Sequence, residues 1–354
     1  ATQDGFGLYQ VTQKRGERWT AARAYVEPAR DRIEVITGAL TEKIIVENGR
    51  ATGIVIRQKW GRKRTIKSRG AIILSAGAFG SPQILMLSGI GPAAHLREHG
   101  IAVVDDKPAV GSDLQDHIDH VTSYEADSQD FFGDSFAGTV KMAKAFFEHR
   151  FKRTGSLTTC FAEGGGFWRS ATDLPAPDIQ YHFVPAMLED HGRTKVKGHG
   201  FSGHVCVLRP ESRGTVRLAS SDASDAPLID PNFLSDDRDM ATLRRGVREL
   251  HRIFNAPSLA AYKGKVRYPV NLADDAALDD HIRTTADTVY HPVGTCRMGP
   301  NADDVVDPRL KYRGLDGLYI ADASIMPRLI SGNTNAPSIM IGERCADFVR
   351  ADLQ

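Results

Sequence analysis

The run Tyr290-His291-Pro292-Val293-Gly294-Thr295-Cys296-Arg297-Met298-Gly299 opens a stretch in which several chemically competent side chains follow closely. The His291 imidazole can accept a hydroxyl proton. Gly317-Leu318-Tyr319-Ile320-Ala321-Asp322-Ala323-Ser324 reads as a buried strand that ends in an acidic turn. Ser331-Gly332-Asn333-Thr334-Asn335-Ala336-Pro337 then opens a final helix expected to reach about Arg350, with Asn335 as N-cap and Pro337 in its first turn. The amide of Asn333 can orient an oxygen, and a helix N-terminus stabilises negative charge that develops in front of it. A lone histidine before proline is equally compatible with a plain loop. The interest lies in the module as a whole.

Other candidates are weaker. Asp116-His117-Ile118-Asp119-His120 has the look of metal-ligand spacing, yet an i, i+3 pair with no third ligand nearby reads better as a hydrogen-bonded loop. His191, His199 and His204 fit structural roles or substrate contacts equally well. The four cysteines (Cys160, Cys206, Cys296, Cys345) form no C-x-x-C and read as free thiols in a reducing compartment, so no metal site is expected. Lys+Arg 45 against Asp+Glu 44 leaves a formal charge of +1, which argues against nucleic acid or an anionic membrane as the main partner. No apolar run is long enough to span a bilayer, and the opening Ala-Thr-Gln-Asp-Gly reads as the interior of a longer chain.

The elements that must position these residues are partly legible. From Arg32 to Ser75 the pattern is β, with apolar runs at Ile33–Ile36, Ile44–Val46, Gly53–Ile56 and Ala71–Leu74. Asn48-Gly49 marks a hairpin, and Gly61 a second turn inside a basic run (Lys59, Arg62, Lys63, Arg64, Lys67, Arg69) that reads as a solvated edge. Ala71–Leu74 predicts a strand covered on both faces. Ser81 is expected to cap a helix that starts at Pro82 and stops near Gly89, with a second helix between Gly91-Pro92 and Gly100. Ile179–Val184, Gly203–Leu208 and Gly214–Leu218 predict a separate antiparallel sheet. Leu243, Val247, Leu250 and Phe254 predict a helix over Asp237–Phe254 packed on it.

The run Ser75-Ala76-Gly77-Ala78-Phe79-Gly80-Ser81-Pro82-Gln83-Ile84-Leu85-Met86-Leu87-Ser88-Gly89-Ile90-Gly91 closely resembles the second signature of the glucose–methanol–choline (GMC) oxidoreductases. Val110–His117 also fits, although many relatives have Asn at the position of Asp113, and the block His291–Glu343 is similar throughout. The resemblance is faintest around residues 125–160. It implies FAD as cofactor, His291 as the catalytic histidine and Asn333 at the second catalytic position. It further implies that Asp322 and Ala323 meet the FAD pyrophosphate and ribityl chain, that Asn335 and Pro337 open the helix under the flavin, and that Thr41 and Ala76 lie near the adenine. Glu163 and Tyr290 are candidate substrate contacts.

The resemblance implies a mixed α/β (α+β) fold class: an incomplete FAD-binding, Rossmann-like domain plus a substrate domain with an antiparallel sheet flanked by helices. Residues 1–30 would lead from the substrate side into the FAD domain, 31–120 and 289–354 would belong to that domain, and 121–288 would form the substrate domain. The strand and glycine-rich turn that grip FAD pyrophosphate at the start of family members are expected to lie outside these residues, as is the first signature. Gly164-Gly165-Gly166 is no substitute, because Phe167-Trp168-Arg169 follows it. The chain is therefore expected to be a C-terminal fragment, binding FAD weakly and inactive alone.

The implied reaction is oxidation of a primary alcohol to an aldehyde, with a quinone or another electron acceptor. Medium-chain aliphatic alcohols are favoured over choline, partly on Asp190-His191-Gly192-Arg193 and His204-Val205-Cys206. Choline would call on Glu163 with Phe167, Trp168 and Tyr290. A non-catalytic scaffold or binding fragment is the reading of another class. The expected setting is cytoplasmic, with peripheral association at the inner membrane open to it. Oligomeric state, covalent FAD attachment and the exact alcohol stay open.

Overall fold

The computed structural model describes residues 2–189 and 192–354; His191 lies outside the described residues. Along the chain the longer elements are β1 (Gly5–Leu8), β2 (Leu40–Glu47), β3 (Arg50–Arg57), β4 (Lys63–Lys67), β5 (Ile72–Leu74), α1 (Gly77–Leu87) and α2 (Ala93–Glu98). They continue with β6 (Ile118–Ala126), α3 (Phe136–Lys152), β7 (Gly164–Trp168), β8 (Ile179–Val184), β9 (Gly198–Val207), β10 (Thr215–Arg217) and β11 (Leu228–Asp230). The last are α4 (Asp237–Phe254), α5 (Asp275–Thr285), β12 (Leu318–Ile320) and α6 (Asn335–Leu353). The mixed α/β class is as expected. Among the described residues no helix is long and apolar enough to cross a membrane.

The chain forms two compact units. The first gathers Ala1–Ile33, Ile118–Leu208 and Asp237–Val289; the second gathers Glu34–His117, Arg209–Asp236 and Tyr290–Gln354.

The first unit is built on an antiparallel sheet whose order is β1-β7-β8-β9-β6, closed by the short strand Asp287–Thr288. One face is covered by α4, which has the bounds its periodicity predicted and buries Leu243, Val247, Leu250 and Phe254. Glycines allow the close contacts. A Cβ at Gly203 would stand 2.4 Å from the Phe254 ring, and one at Gly200 would stand 2.1 Å from the Tyr124 carbonyl. Gly198, Gly200 and Gly203 thus have the G-x-G-x-x-G spacing, but they lie inside a strand and serve packing. Gly165 and Gly166 do the same in β7, against the Tyr181 carbonyl and the Phe6 ring.

The run Asp116–His120 is divided between the two units, so it does not act as one cluster. Asp119 pairs with His204 at 2.6 Å, while His120 is buried beside His281 with its Nδ1 3.2 Å from the Thr285 hydroxyl. Burial holds the His120 imidazole near 3, keeping it neutral. Of the remaining histidines, His199 bonds the Ser135 hydroxyl (2.7 Å) and the Phe131 carbonyl (2.9 Å), a structural role.

The second unit holds four β groupings, one of them the short parallel pair of Ile90–Gly91 with Asp105–Asp106. β2, β3 and β4 form an antiparallel meander, and Asn48 (φ 50°) with Gly49 (φ 75°) makes the expected tight turn. β5 and β12 pair in parallel, Ile72 with Leu318 and Leu74 with Ile320. β10 and β11 pair antiparallel, so Gly214–Leu218 does not join the first unit's sheet as expected. It bridges Leu114 instead.

Three local expectations are corrected. Ile33–Ile36 is not a strand; Ile33 and Val35 are exposed and have no ladder partner among the described residues. β5 is covered on one face only, with Leu74 buried and Ile73 about half exposed. Ser81 and Pro82 lie inside α1, which begins at Gly77.

A proline at that depth removes the amide that would bond the Ala78 carbonyl. The Thr295 hydroxyl donates to that carbonyl at 2.6 Å and restores the bond from outside the helix. The Ser81 hydroxyl turns away from a capping role and donates to Asp322 at 2.6 Å. Thr295→Val should therefore cost about 1–3 kcal/mol in chemical denaturation, because it leaves a buried carbonyl unpaired. In a Pro82→Ala background, where residue 82 regains its amide, the same change should cost well under half as much. Equal costs in the two backgrounds would refute this pairing.

Candidate active site

His291, Asn333, Thr41, Ala76, Asp322, Ala323, Asn335 and Pro337 all fall in the second unit, as does Tyr290. Glu163 is exposed and belongs to the first unit.

Asp322 follows β12 and caps a short 3-10 turn at Ala323–Ile325 by accepting from the Ser324 amide at 2.8 Å. Its other oxygen accepts from the Ser81 hydroxyl at 2.6 Å and the Gly77 amide at 3.0 Å. The carboxylate is thus occupied within the protein, joining the start of α1 to the turn after β12. Ala76 stands exposed at that junction. Gly77 (φ 82°) has no atom within 4 Å of where a Cβ would sit, so the backbone here is open to close approach. Thr41 lies in β2, at an irregularity in its pairing with β3.

The chain bearing His291 is fixed along its length. Cys296 and Met298 donate to the carbonyls of Ser324 and Ile325 at 2.9 and 2.7 Å. Arg297 forms ion pairs with Asp113 and, at 2.8 Å, with Asp304. Gln115 and Val293 exchange both backbone bonds, and the Gln115 side chain accepts from the Leu329 amide at 3.0 Å. The Asp116 carboxylate accepts from the His291 amide at 2.8 Å. Tyr290 takes a positive φ of 67° immediately before, a strained conformation for an aromatic residue.

The buried residues Gln115, Asp116 and His117 therefore carry the site's framework. The sequence reads His117 as part of a hydrogen-bonded loop and of the family-like run Val110–His117, with no role assigned to it or to Gln115 individually. The signal is their burial in succession, which only the fold reveals.

The imidazole of His291 lies between two partners. Its Nδ1 is 2.9 Å from Nδ1 of His117, and its Nε2 is 3.2 Å from Nδ2 of Asn333. His117 Nε2 is 3.1 Å from the Ile330 carbonyl, which can only accept, so that nitrogen carries a hydrogen. In a neutral His117 the Nδ1 is bare and accepts from His291 Nδ1–H. His291 Nε2 is then also bare, and accepts from the Asn333 amide. The hydrogen-bond chain assigns one tautomer, with the basic nitrogen pointed toward Asn333. Burial lowers His291 to about 4, keeping the ring neutral near pH 7.

Asn333 is exposed and lies just ahead of α6. The helix starts at Asn335, with Thr334 in the cap position, so Asn335 is its first residue rather than its cap. Pro337 lies in the first turn, and Asn335 and Ala336 are exposed there. The positive end of a 19-residue helix is therefore open beside His291 and Asn333.

Family models described as GMC oxidoreductase match residues 1–119 and 210–342. The chain belongs to the GMC oxidoreductase family. The resemblance read from the signature residues is thus met across both ends of the chain. Among relatives, an alcohol dehydrogenase [acceptor] of Pseudomonas putida is 46% identical over 99% of this chain. An oxygen-dependent choline dehydrogenase of Rhizobium meliloti (strain 1021) is 40% identical over 98%. The chain spans 64% of the length of each of these relatives.

Similar solved structures include a pyridoxine 4-oxidase from "Mesorbium loti", with TM-score 0.84 and 28% identity over 98% of this chain and 64% of that one. A formate oxidase of Aspergillus oryzae RIB40, the subject of a study of FAD modification, aligns with TM-score 0.91 and 25% identity over 99% of this chain and 66% of that one.

The tautomer is directly measurable. In 15N-histidine NMR, the His291 ring should be protonated at Nδ1 and bare at Nε2 from pH 8 to about 5, titrating near 4. A midpoint near the ordinary histidine value, or a proton on Nε2, would contradict the hydrogen-bond chain.

Proposed function

We propose that these residues form part of an FAD-dependent oxidoreductase that converts a primary alcohol to an aldehyde. The observation that carries this reading is the buried His291 ring with its Nε2 held 3.2 Å from the Asn333 amide. A bound alcohol would take the amide's place at Nε2, so that the neutral imidazole accepts the hydroxyl proton while the Asn333 amide donates to the alcohol oxygen and fixes it. Asp116 and His117 hold the ring in place through its amide and Nδ1.

The residues present fit FAD: the open turn at Ala76-Gly77 admits a close-lying group, and the exposed first turn of α6 suits negative charge. Thr41, Ala76, Ala323, Asn335 and Pro337 would line it, and Asp322 would act by keeping the two turns together. When bound, FAD supplies a hydride acceptor for the carbinol carbon at its N5. The second unit thereby takes the cofactor role and the first the substrate role. The 354 residues alone are expected to hold FAD loosely and to be inactive, since the chain spans 64% of its relatives' length.

A medium-chain aliphatic alcohol is the favoured substrate, supported by the higher identity to the alcohol dehydrogenase [acceptor] of P. putida. The relative's printed "[acceptor]" supports a quinone or another non-nicotinamide electron acceptor. Choline is the second reading, on the 40% identical choline dehydrogenases. Exposed Tyr290 would serve it as an aromatic face.

In the flavin-loaded protein that includes the rest of the relatives' length, His291→Ala should lower turnover by about 10²–10⁴. Asn333→Ala should lower it less. A loss under tenfold for His291→Ala would place the base elsewhere. Anaerobic addition of 1-octanol should bleach the oxidised flavin absorbance and choline should not. Bleaching by choline alone would reverse the substrate assignment, and bleaching by neither would defeat both.

A further inference from the structure

The helix α3 has its amphipathic character inverted. Its buried residues are Gly138 and Ala145, both small. A Cβ at Gly138 would stand 2.0 Å from the Gly133 carbonyl, so this side of the helix lies close against its own unit. The opposite side carries Phe136, Val140, Phe147 and Phe151, which fall within one narrow arc at helical spacing. All four are exposed, Phe136 by 87% and Phe151 by 76%. Phe146 is exposed on the flank. The rings of Phe147 and Phe151 stack with an interplanar angle of 5°, forming a flat apolar face.

Lys144 and Arg150 flank this arc, and Arg150 lies 5.8 Å from the Phe151 ring centre. From Phe136 to Arg153 the basic residues are Lys141, Lys144, Arg150, Lys152 and Arg153, against the single carboxylate of Glu148. The chain-wide charge of +1 hides this local excess. The helix is also held rigidly. Ser135 caps it by accepting from the Gly138 amide at 3.0 Å, His149 bonds the Gly16 carbonyl at 2.9 Å, and Arg153 pairs with Glu17 at 2.8 Å. It lies between the two segments matched by the family models.

A pre-formed helix with an outward aromatic stripe and cationic flanks has the design of an interfacial helix. Its apolar side chains enter the acyl boundary while the basic ones meet anionic headgroups. We propose that α3 docks the protein on an anionic lipid bilayer, with Phe136, Phe147 and Phe151 inserted and Lys144 and Arg150 at the headgroup level. No residue of this surface belongs to the redox site proposed above, and its binding to lipid is measured without substrate.

The test is co-sedimentation of the full-length protein with vesicles of phosphatidylcholine, with and without phosphatidylglycerol, at low and high salt. Binding should be on the order of tenfold or more tighter with the anionic lipid and should weaken in salt. The variant Phe136→Ser/Phe147→Ser/Phe151→Ser should lose on the order of tenfold or more of that binding. Lys144→Glu/Arg150→Glu should lose the anionic preference. Both variants change exposed side chains, and their circular dichroism and turnover of a water-soluble alcohol should match the parent. Equal binding to both lipids, or binding unchanged in the variants, would overturn the proposal. So would a concentration-dependent dimer, seen in sedimentation velocity, that disappears in the phenylalanine variant, because a second copy would then cover this face.

Discussion

The Asp322 carboxylate accepts hydrogen bonds from the Ser81 hydroxyl, the Gly77 amide and the Ser324 amide. One buried negative charge thereby ties the start of α1 to a turn 245 residues later. Charge-assisted bonds of this kind are shorter and stronger than neutral ones, and losing one partner inside a protein leaves the others uncompensated. β12 leads into that turn beside β5, and Cys296 and Met298 lie along the same turn through backbone bonds. The position of His291 thus descends, step by step, from the satisfaction of a single acid.

The site itself follows the same logic of enforced orientation. His291 has three fixed points: its amide on Asp116, its Nδ1 on His117 and its Nε2 toward Asn333. A carbonyl acceptor at Ile330 determines which nitrogen of His117 carries hydrogen, and that choice passes along the chain to His291. Low dielectric around the ring keeps it neutral near pH 7. The strained Tyr290 is the one backbone irregularity next to it.

Long periodic elements were legible from sequence. The α4 stripe of Leu243, Val247, Leu250 and Phe254 fixed its helix, and Asn48-Gly49 fixed a turn, because both signals are local. Ser81-Pro82 misled for an equally physical reason. The pair has the composition of a helix start, and only a distant hydroxyl, Thr295, lets proline sit deeper. Ile33–Ile36 has strand composition but finds no partner among the described residues, and pairing decides a strand more than propensity does. His291 and Asn333 were singled out through the family signature, and the structure sets them 3.2 Å apart. Gln115, Asp116 and His117 were not legible as a framework, because their roles depend on contacts with residues more than 170 positions away.

The chain passes between its two units five times, so each is assembled from pieces that are distant in sequence. The parallel pairing of Ile72 with Leu318 cannot form until the segment around Leu318 has been synthesised. At the pace of synthesis, the apolar strand Ile72–Leu74 emerges and then waits roughly 10–50 s for its partner. During that interval its backbone edge and side chains have only transient cover. The birth of this protein on the ribosome is thus a period of exposure, and any chaperone that attends it would be needed between those two strands.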